Sequence, residues 1–256
     1  FLKKILMCYL KFEECIIQKR VKLMRILLKF RSENDFGYDS INKHTIQGFI
    51  YSILNDTPFE NCHDSKGFKY FTFSNIFPVS PFKRGEFKNI IISSPKQGFI
   101  RTVSKVLKRK DHFYLGKYRM KINQVKVFQP KLEGRLITST PIVLFENNEN
   151  NRYYSLKNSN EFSFFLERTK ENALKKYNSY YGENYYFEGN IFDRFEYGRE
   201  VAVRVKKEDK MFIVIGTLWK NLEKFNMDNK KFYRFIMDCG LGEKNSLGFG
   251  MVNPVG

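Results

Sequence analysis

Residues 42–54, NKHTIQGFIYSIL, carry the side chains best suited to acid–base chemistry. At about 100° per residue, Ile46, Phe49, Ile50, Ile53 and Leu54 share one apolar helical face. His44 and Tyr51, seven apart, align in a stripe roughly opposite that face. Gln47 lies beside the stripe, and Gly48 leaves bare backbone next to it. An imidazole can take or give a proton near neutrality, and a phenol and an amide supply hydrogen bonds. The axial separation of His44 and Tyr51, about 10 Å, is too long for a direct hydrogen bond and suits two groups flanking a substrate. The plain alternative is a surface histidine and a partly buried tyrosine. His63, in a polar loop, and His112, in the basic turn KRKDHF, show no partner set nearby in sequence and read as incidental.

A second candidate is GLGEKNSLGFG, residues 240–250, with Gly240, Gly242, Gly248 and Gly250 around Lys244, Asn245 and Ser246. It follows a helical pattern and precedes a strand, so it is not a dinucleotide fingerprint. No G-K-[ST] closes it as a P-loop. Two readings stay open. A phosphate chain could lie against N–H groups that glycine leaves accessible, with Lys244 adding charge and Asn245 and Ser246 adding hydrogen bonds. Otherwise the glycines simply permit a tight connection.

These residues need elements to hold them. MRILLKF (24–30) reads as a strand, and the helix over INKHTIQGFIYSIL follows, with Asp39 or Ser40 as its N-cap. Residues 68–77 and 86–94 read as paired strands. Pro95 opens a helix over 96–110 with a basic end, and 114–129 reads as one further strand. The order β-α-β-β-α-β is the ferredoxin-like arrangement. The pattern then returns: a strand over 134–145, the turn ENNENN, a short strand in RYYSLK, and a helix over 160–182 stopped near Gly182. Two strands follow over 200–219 around the turn KKEDK, then a helix over 229–239 stopped by Gly240, and a brief last strand. The fold class is therefore α+β, two tandem ferredoxin-like domains over 24–130 and 131–256. Residues 1–23 form a basic amphipathic stretch that reads as an N-terminal extension outside the core fold, one whose deletion leaves the melting temperature largely intact. Lying on a membrane surface is a lesser reading of the same stretch.

Composition narrows the partner. The formal charge is +18 at pH 7, and hydrophobic and aromatic shares of 42% and 17% describe a folded chain. Such an excess attracts polyanions, nucleic acid first, although a bias toward Lys, Asn, Ile, Tyr and Phe is also what an AT-rich genome produces. The basic stretches Lys105–Lys110, Arg168–Lys176 and Arg204–Lys210 read as solvated faces that together could track phosphates. Cys8, Cys15, Cys62 and Cys239 form no C-x-x-C pair, so neither zinc nor a disulfide framework is expected, and a reducing cytoplasm is. No apolar run is long enough to span a membrane. Metal-ligand spacing, H-E-x-x-H and G-x-S-x-G are all missing from the sequence, and no cofactor is expected.

Taken together, MRILLKFRSEND, NKHTIQGFIYSIL and GLGEKNSLGFGMV resemble the opening strand, first helix and C-terminal glycine-rich signature of the CRISPR-associated repeat-processing endoribonucleases, the Cas-six family of the RAMP superfamily. The resemblance covers residues 24–254. It implies metal-independent cleavage of CRISPR repeat RNA, in which a ribose 2′-hydroxyl attacks the adjacent phosphorus and leaves a 2′,3′-cyclic phosphate and a 5′-hydroxyl. It implies catalytic roles for His44, as base or acid, and for Tyr51, which would orient or polarise a reacting oxygen. A third role, often a lysine in such enzymes, has only Lys29 and Lys43 as candidates. The glycine loop (Gly240, Gly242, Lys244, Asn245, Ser246, Gly248, Gly250) becomes an RNA-backbone platform, so that Gly242→Val or Gly248→Val weakens RNA binding more than it alters the fold. The implied partner is repeat RNA, bound by a monomer or homodimer, alone or with other CRISPR effector-complex proteins. The alternative is a RAMP protein that binds CRISPR RNA without cutting it.

Overall fold

In strand β1 (Arg25–Ser32), Ile26, Leu28 and Phe30 alternate onto one face and are fully buried, as the period of two in a half-covered strand requires. β1 is the centre of the first sheet of a computed structural model that describes residues 24–147, 152–159, 161–207 and 210–255. The sheet contains β2 (Thr72–Phe73), β3 (Phe87–Ser93), β4 (His112–Leu115) and β5 (Tyr118–Phe128), in the order β2-β3-β1-β5-β4 with every pair antiparallel. Two helices, α1 (Lys43–Leu54) and α2 (Gln97–Lys108), bury apolar stripes against this sheet. Ile46, Phe49, Ile50, Ile53 and Leu54, the face expected for α1, are all buried. Each such side chain contributes about 1.5–3 kcal/mol when taken fully out of water.

The second sheet is β11 (Val252–Pro254), β6 (Arg135–Thr138), β10 (Lys210–Glu223) and β9 (Arg194–Lys207), in that order and antiparallel throughout. Its helices are α3 (Phe162–Tyr181), which ends on Gly182 in the left-handed conformation, and α4 (Lys230–Cys239), capped by Asn229. The short pair β7 (Phe145–Asn147) and β8 (Arg152–Tyr153) lies outside the main sheet. Both sheets share one order: the last strand of the β-α-β-β-α-β unit, then the first, third and second, with one added edge strand, β4, in the first sheet. The chain is two tandem ferredoxin-like folds. Among the described residues no helix is long and apolar enough to cross a membrane. The extension expected over residues 1–23 lies outside the described residues, as do parts of the turns expected at 146–151 and 206–210.

Three expectations are corrected. Asn42, not Asp39 or Ser40, caps α1: its side chain accepts from the backbone N–H of His44 at 2.8 Å and of Thr45 at 3.2 Å, while Tyr38–Ser40 form a separate 3-10 turn. The strand expected over 68–77 shrinks to Thr72–Phe73, because the Ser74 hydroxyl takes the Ile91 N–H that a ladder would use and Pro78 brings no donor. The single strand expected over 114–129 is a hairpin. Gly116, at φ 59°, turns the chain so that Leu115 faces Tyr118.

The two folds meet through buried polar groups. The Arg25 guanidinium of β1 donates to the carbonyls of Met237 at 2.7 Å and Val252 at 2.8 Å and also bonds Asn253. Ser93 donates to Asp238 O, Thr72 to Phe249 O and Tyr180 to Pro95 O. Burial pushes the Asp238 carboxyl up to about 7, against the pull of Arg25 and Arg234.

Candidate active site

α1 begins at the junction of the two folds. Lys43, its first residue, is buried, and its ammonium donates to Gly248 O at 2.7 Å and Asn75 Oδ1 at 3.1 Å, over the rings of Phe249 and Phe73. Removal from water lowers this amine to about 7. Next along the chain, His44 lies half-buried in the first turn, where the positive end of the helix dipole favours an anion. Gly48 follows one turn later. It is exposed, and a Cβ added there would meet nothing within 4 Å.

The rest of the stripe meets the glycine loop. Gln47 Nε2 donates to Ser246 O at 2.9 Å, and the Tyr51 hydroxyl lies near the Ser246 side chain. Burial, with a smaller push from Cys62, raises the Tyr51 phenol to about 12, and the nearby Ser246 hydroxyl offsets only part of this. Tyr51 therefore keeps its proton at neutral pH. Its ring stands edge-on to His63, centroids 4.9 Å apart. The sequence reading set His63 aside, and the structure places it against Tyr51, with Nδ1 2.6 Å from Asp64 Oδ1. His112 instead pairs with Glu33 at 2.9 Å.

The loop is more built than a bare platform. Gly240, Gly242, Gly248 and Gly250 are all buried and all at positive φ. A Cβ on Gly248 would lie 2.2 Å from the Phe73 ring of the other fold, and one on Gly250 1.8 Å from Leu241 O. Replacing Gly242 or Gly248 by valine thus attacks packing first, contrary to the sequence expectation. Asn245 is a brace. Its Nδ2 donates to Leu241 O and Phe249 O, and its Oδ1 accepts from Lys176. Lys176, expected on a solvated face, is instead buried in α3. It spends its three donors on Gly240 O, Gly242 O and Asn245 Oδ1, at 2.7–2.9 Å. Lys244, partly buried, sets its ammonium over Phe145, Tyr153 and Phe212, and Glu243 anchors to Arg168 and the Phe145 N–H.

Two openings lie at the start of α1 and beside the glycine loop. A groove of about 950 Å³ runs from Asn42 and Lys43 to the β9–β10 hairpin, where Arg199, Arg204 and Lys206 line it. A cleft of about 240 Å³ lies between residues 67–70 and the glycine loop. The sequence marked Arg204 and Lys206 as basic, but only the fold brings them into one groove with the start of α1. Lys29, the other lysine candidate, sits 4.2 Å over the Phe87 ring of β3. Among the described residues no group of three His, Cys, Asp or Glu side chains is placed to hold a metal ion.

Comparison with known proteins finds relatives over most of the chain. The family model described as CRISPR associated protein Cas6, C-terminal, matches residues 124–254. The chain is 43% identical over 240 residues to the CRISPR-associated endoribonuclease Cas6 2 of Methanocaldococcus jannaschii, covering 91% of this chain and all of that protein. A solved structure described as CRISPR associated protein Cas6 superposes with a TM-score of 0.68 at 27% identity, over 91% of this chain and 99% of that one. Another, described as an RAMP protein binding different RNA substrates, shares the fold at a TM-score of 0.65 and 19% identity, over 91% and 100%.

Proposed function

The chain belongs to the Cas6 family of CRISPR-associated endoribonucleases, and from that membership we propose that it cuts CRISPR repeat RNA in precursor transcripts to release guide RNAs. The reaction is a transesterification. The ribose 2′-oxygen bonds to the adjacent phosphorus as its proton leaves, the P–O5′ bond breaks, and the 5′-oxygen departs with a proton. The products are a 2′,3′-cyclic phosphate and a 5′-hydroxyl, and neither a redox step nor a metal ion enters the balance.

His44 takes one of these protons or gives the other. Tyr51, held protonated, donates a hydrogen bond to the phosphorane or to the leaving oxygen. Lys43 is not the group that meets the phosphorane charge, since its donors face Gly248 and Asn75 from inside the protein. The scissile strand passes over Gly48, where backbone is bare, and along Ser246 and Lys244. The cations of the β9–β10 groove take phosphates farther out, which makes binding strongly salt-dependent.

One observation carries this reading: Gln47 of the His44 helix donates to Ser246 O of the glycine loop at 2.9 Å. The stripe of one fold and the loop of the other therefore face a substrate together. The test is cleavage of repeat RNA in excess EDTA with identification of the ends. Cyclic phosphate and 5′-hydroxyl ends are expected. Ends bearing 3′-hydroxyl and 5′-phosphate contradict the mechanism, and tight binding without cleavage makes the chain a non-catalytic RNA-binding member of the superfamily.

A further inference from the structure

The outer face of α2 carries charge that the fold does not use. Arg101, Lys105 and Lys108 recur at intervals of four and three residues, so they form one stripe along the helix, and all three are exposed. With Arg109 they surround a shallow cleft of about 370 Å³ against Val127 of β5, which no carboxylate lines. Among the described residues none of the four has an acidic partner. The Arg101 guanidinium reaches only Gln97 Oε1, at 3.4 Å. Like charges one turn apart destabilise a helix. The helix dipole favours the cations of the last turn, Lys105 and Lys108, but not Arg101, which stands nearer its positive end. β1 and β3 are antiparallel, so the helices that follow them run in opposite directions over one face of the sheet. The ring of Phe59, past the end of α1, meets Phe99 at the start of α2, and the ring of Phe113, past the end of α2, stacks on Phe49 of α1. α2 therefore ends on the side of the helical layer where Lys43 and His44 begin α1, about 10 Å away between axes.

We propose that the outer face of α2 is a second RNA-binding surface, which holds the phosphate backbone of the repeat strand beyond the segment that crosses α1. The proposal rests on the endoribonuclease reading, which supplies the RNA. Phosphates give these cations the partners that the protein withholds, with release of counterions. No large apolar side chain is exposed on α2. The face therefore lacks both the apolar centre of a protein interface and the rings on which unpaired bases stack. It contacts backbone and carries no sequence information. Both helices turn their outer faces to the same side of the first sheet, so a strand leaving the His44 end of α1 meets Lys108 and Arg109 first and then follows the stripe to Arg101.

The experiment measures binding of repeat RNA with 2′-O-methyl groups, which block attack by the 2′-oxygen, over a range of salt concentrations. The full chain is compared with a triple variant, Arg101→Gln with Lys105→Gln and Lys108→Gln. A control variant of equal charge carries Lys131→Gln, Lys220→Gln and Lys230→Gln, at exposed lysines of the second fold. The α2 variant is expected to bind about tenfold or more weakly near 0.1 M salt, with a slope of log Kd against log salt shallower by about 2. The control is expected to keep most of the affinity and slope. Side chains without partners leave folding alone, so the α2 variant should melt with the wild type. An unchanged slope, or a control that loses as much as the α2 variant, overturns the proposal. A clearly lower melting temperature overturns it too, because the stripe would then serve the fold. Unmodified repeat RNA left uncut by the wild type overturns the endoribonuclease reading instead, while a lost slope in the α2 variant still supports the surface.

Discussion

The ammonium of Lys43 donates to the carbonyl of Gly248 at 2.7 Å, tying the first turn of α1 in one fold to the glycine loop of the other. Immediately after it in sequence comes His44, so the clamp and the proposed proton carrier share one helical turn.

Lys43 makes stability depend on pH. Burial lowers its amine from 10.5 to about 7, so the unfolded chain binds this proton more tightly than the folded one. Stability from this group is therefore present above the unfolded value and is lost as pH falls through about 7. Thermal melts of wild type and Lys43→Met at about pH 6.5 and about pH 9 check this. The wild type's advantage should widen at the higher pH, and an advantage that narrows contradicts the assignment.

Gly248 is a packing residue before anything else. Gly248→Ala places a Cβ within 2.2 Å of the Phe73 ring at φ 79°. The cost should be roughly 2–4 kcal/mol from crowding and left-handed strain together. Denaturant unfolding should also find Gly248→Ala and Phe73→Ala non-additive, because removing the ring relieves the collision. Full additivity would mean that the loop does not seat on Phe73.

Gly48 separates stability from activity. With no neighbour within 4 Å of a new Cβ, Gly48→Ala should stabilise α1 by about 0.5–1 kcal/mol. Cleavage should nonetheless slow, because the methyl group occupies the path of the RNA. A variant that is both more stable and as fast as wild type would show that the strand runs elsewhere.

Tyr51→Phe tests the donor role. The phenol stays protonated up to about 12, so its removal should slow cleavage by about a hundredfold to a thousandfold without changing the shape of the pH–rate profile between about pH 6 and 9. A limb that disappears from that profile would mean that Tyr51 titrates in the working range.

Periodicity was the strongest guide to these elements. The alternation of Ile26, Leu28 and Phe30, and the 3.6-residue spacing from Ile46 to Leu54, each specify a buried face without tertiary information. Turn chemistry was harder to read. The Gly116–Lys117 turn hid inside an alternating run, and the Ser74 hydroxyl displaced a ladder bond that no pattern announces. The stripe of His44, Gln47, Gly48 and Tyr51 was legible because helix geometry alone aligns it. Its contact with Ser246 was not, since the partners lie about two hundred residues apart in sequence. Buried lysines defeat composition entirely. Lys43 and Lys176 look like two more surface charges until the fold wraps carbonyls around them. His63 escaped for the same reason, because only a loop returning to α1 brings it against Tyr51.

The most direct measurement is the single-turnover rate of repeat-RNA cleavage by His44→Ala in excess EDTA, beside the wild type. A loss of about a hundredfold or more, with RNA affinity retained and the wild type yielding 2′,3′-cyclic phosphate ends, is the predicted result. A His44→Ala protein that cuts as fast as wild type would contradict it.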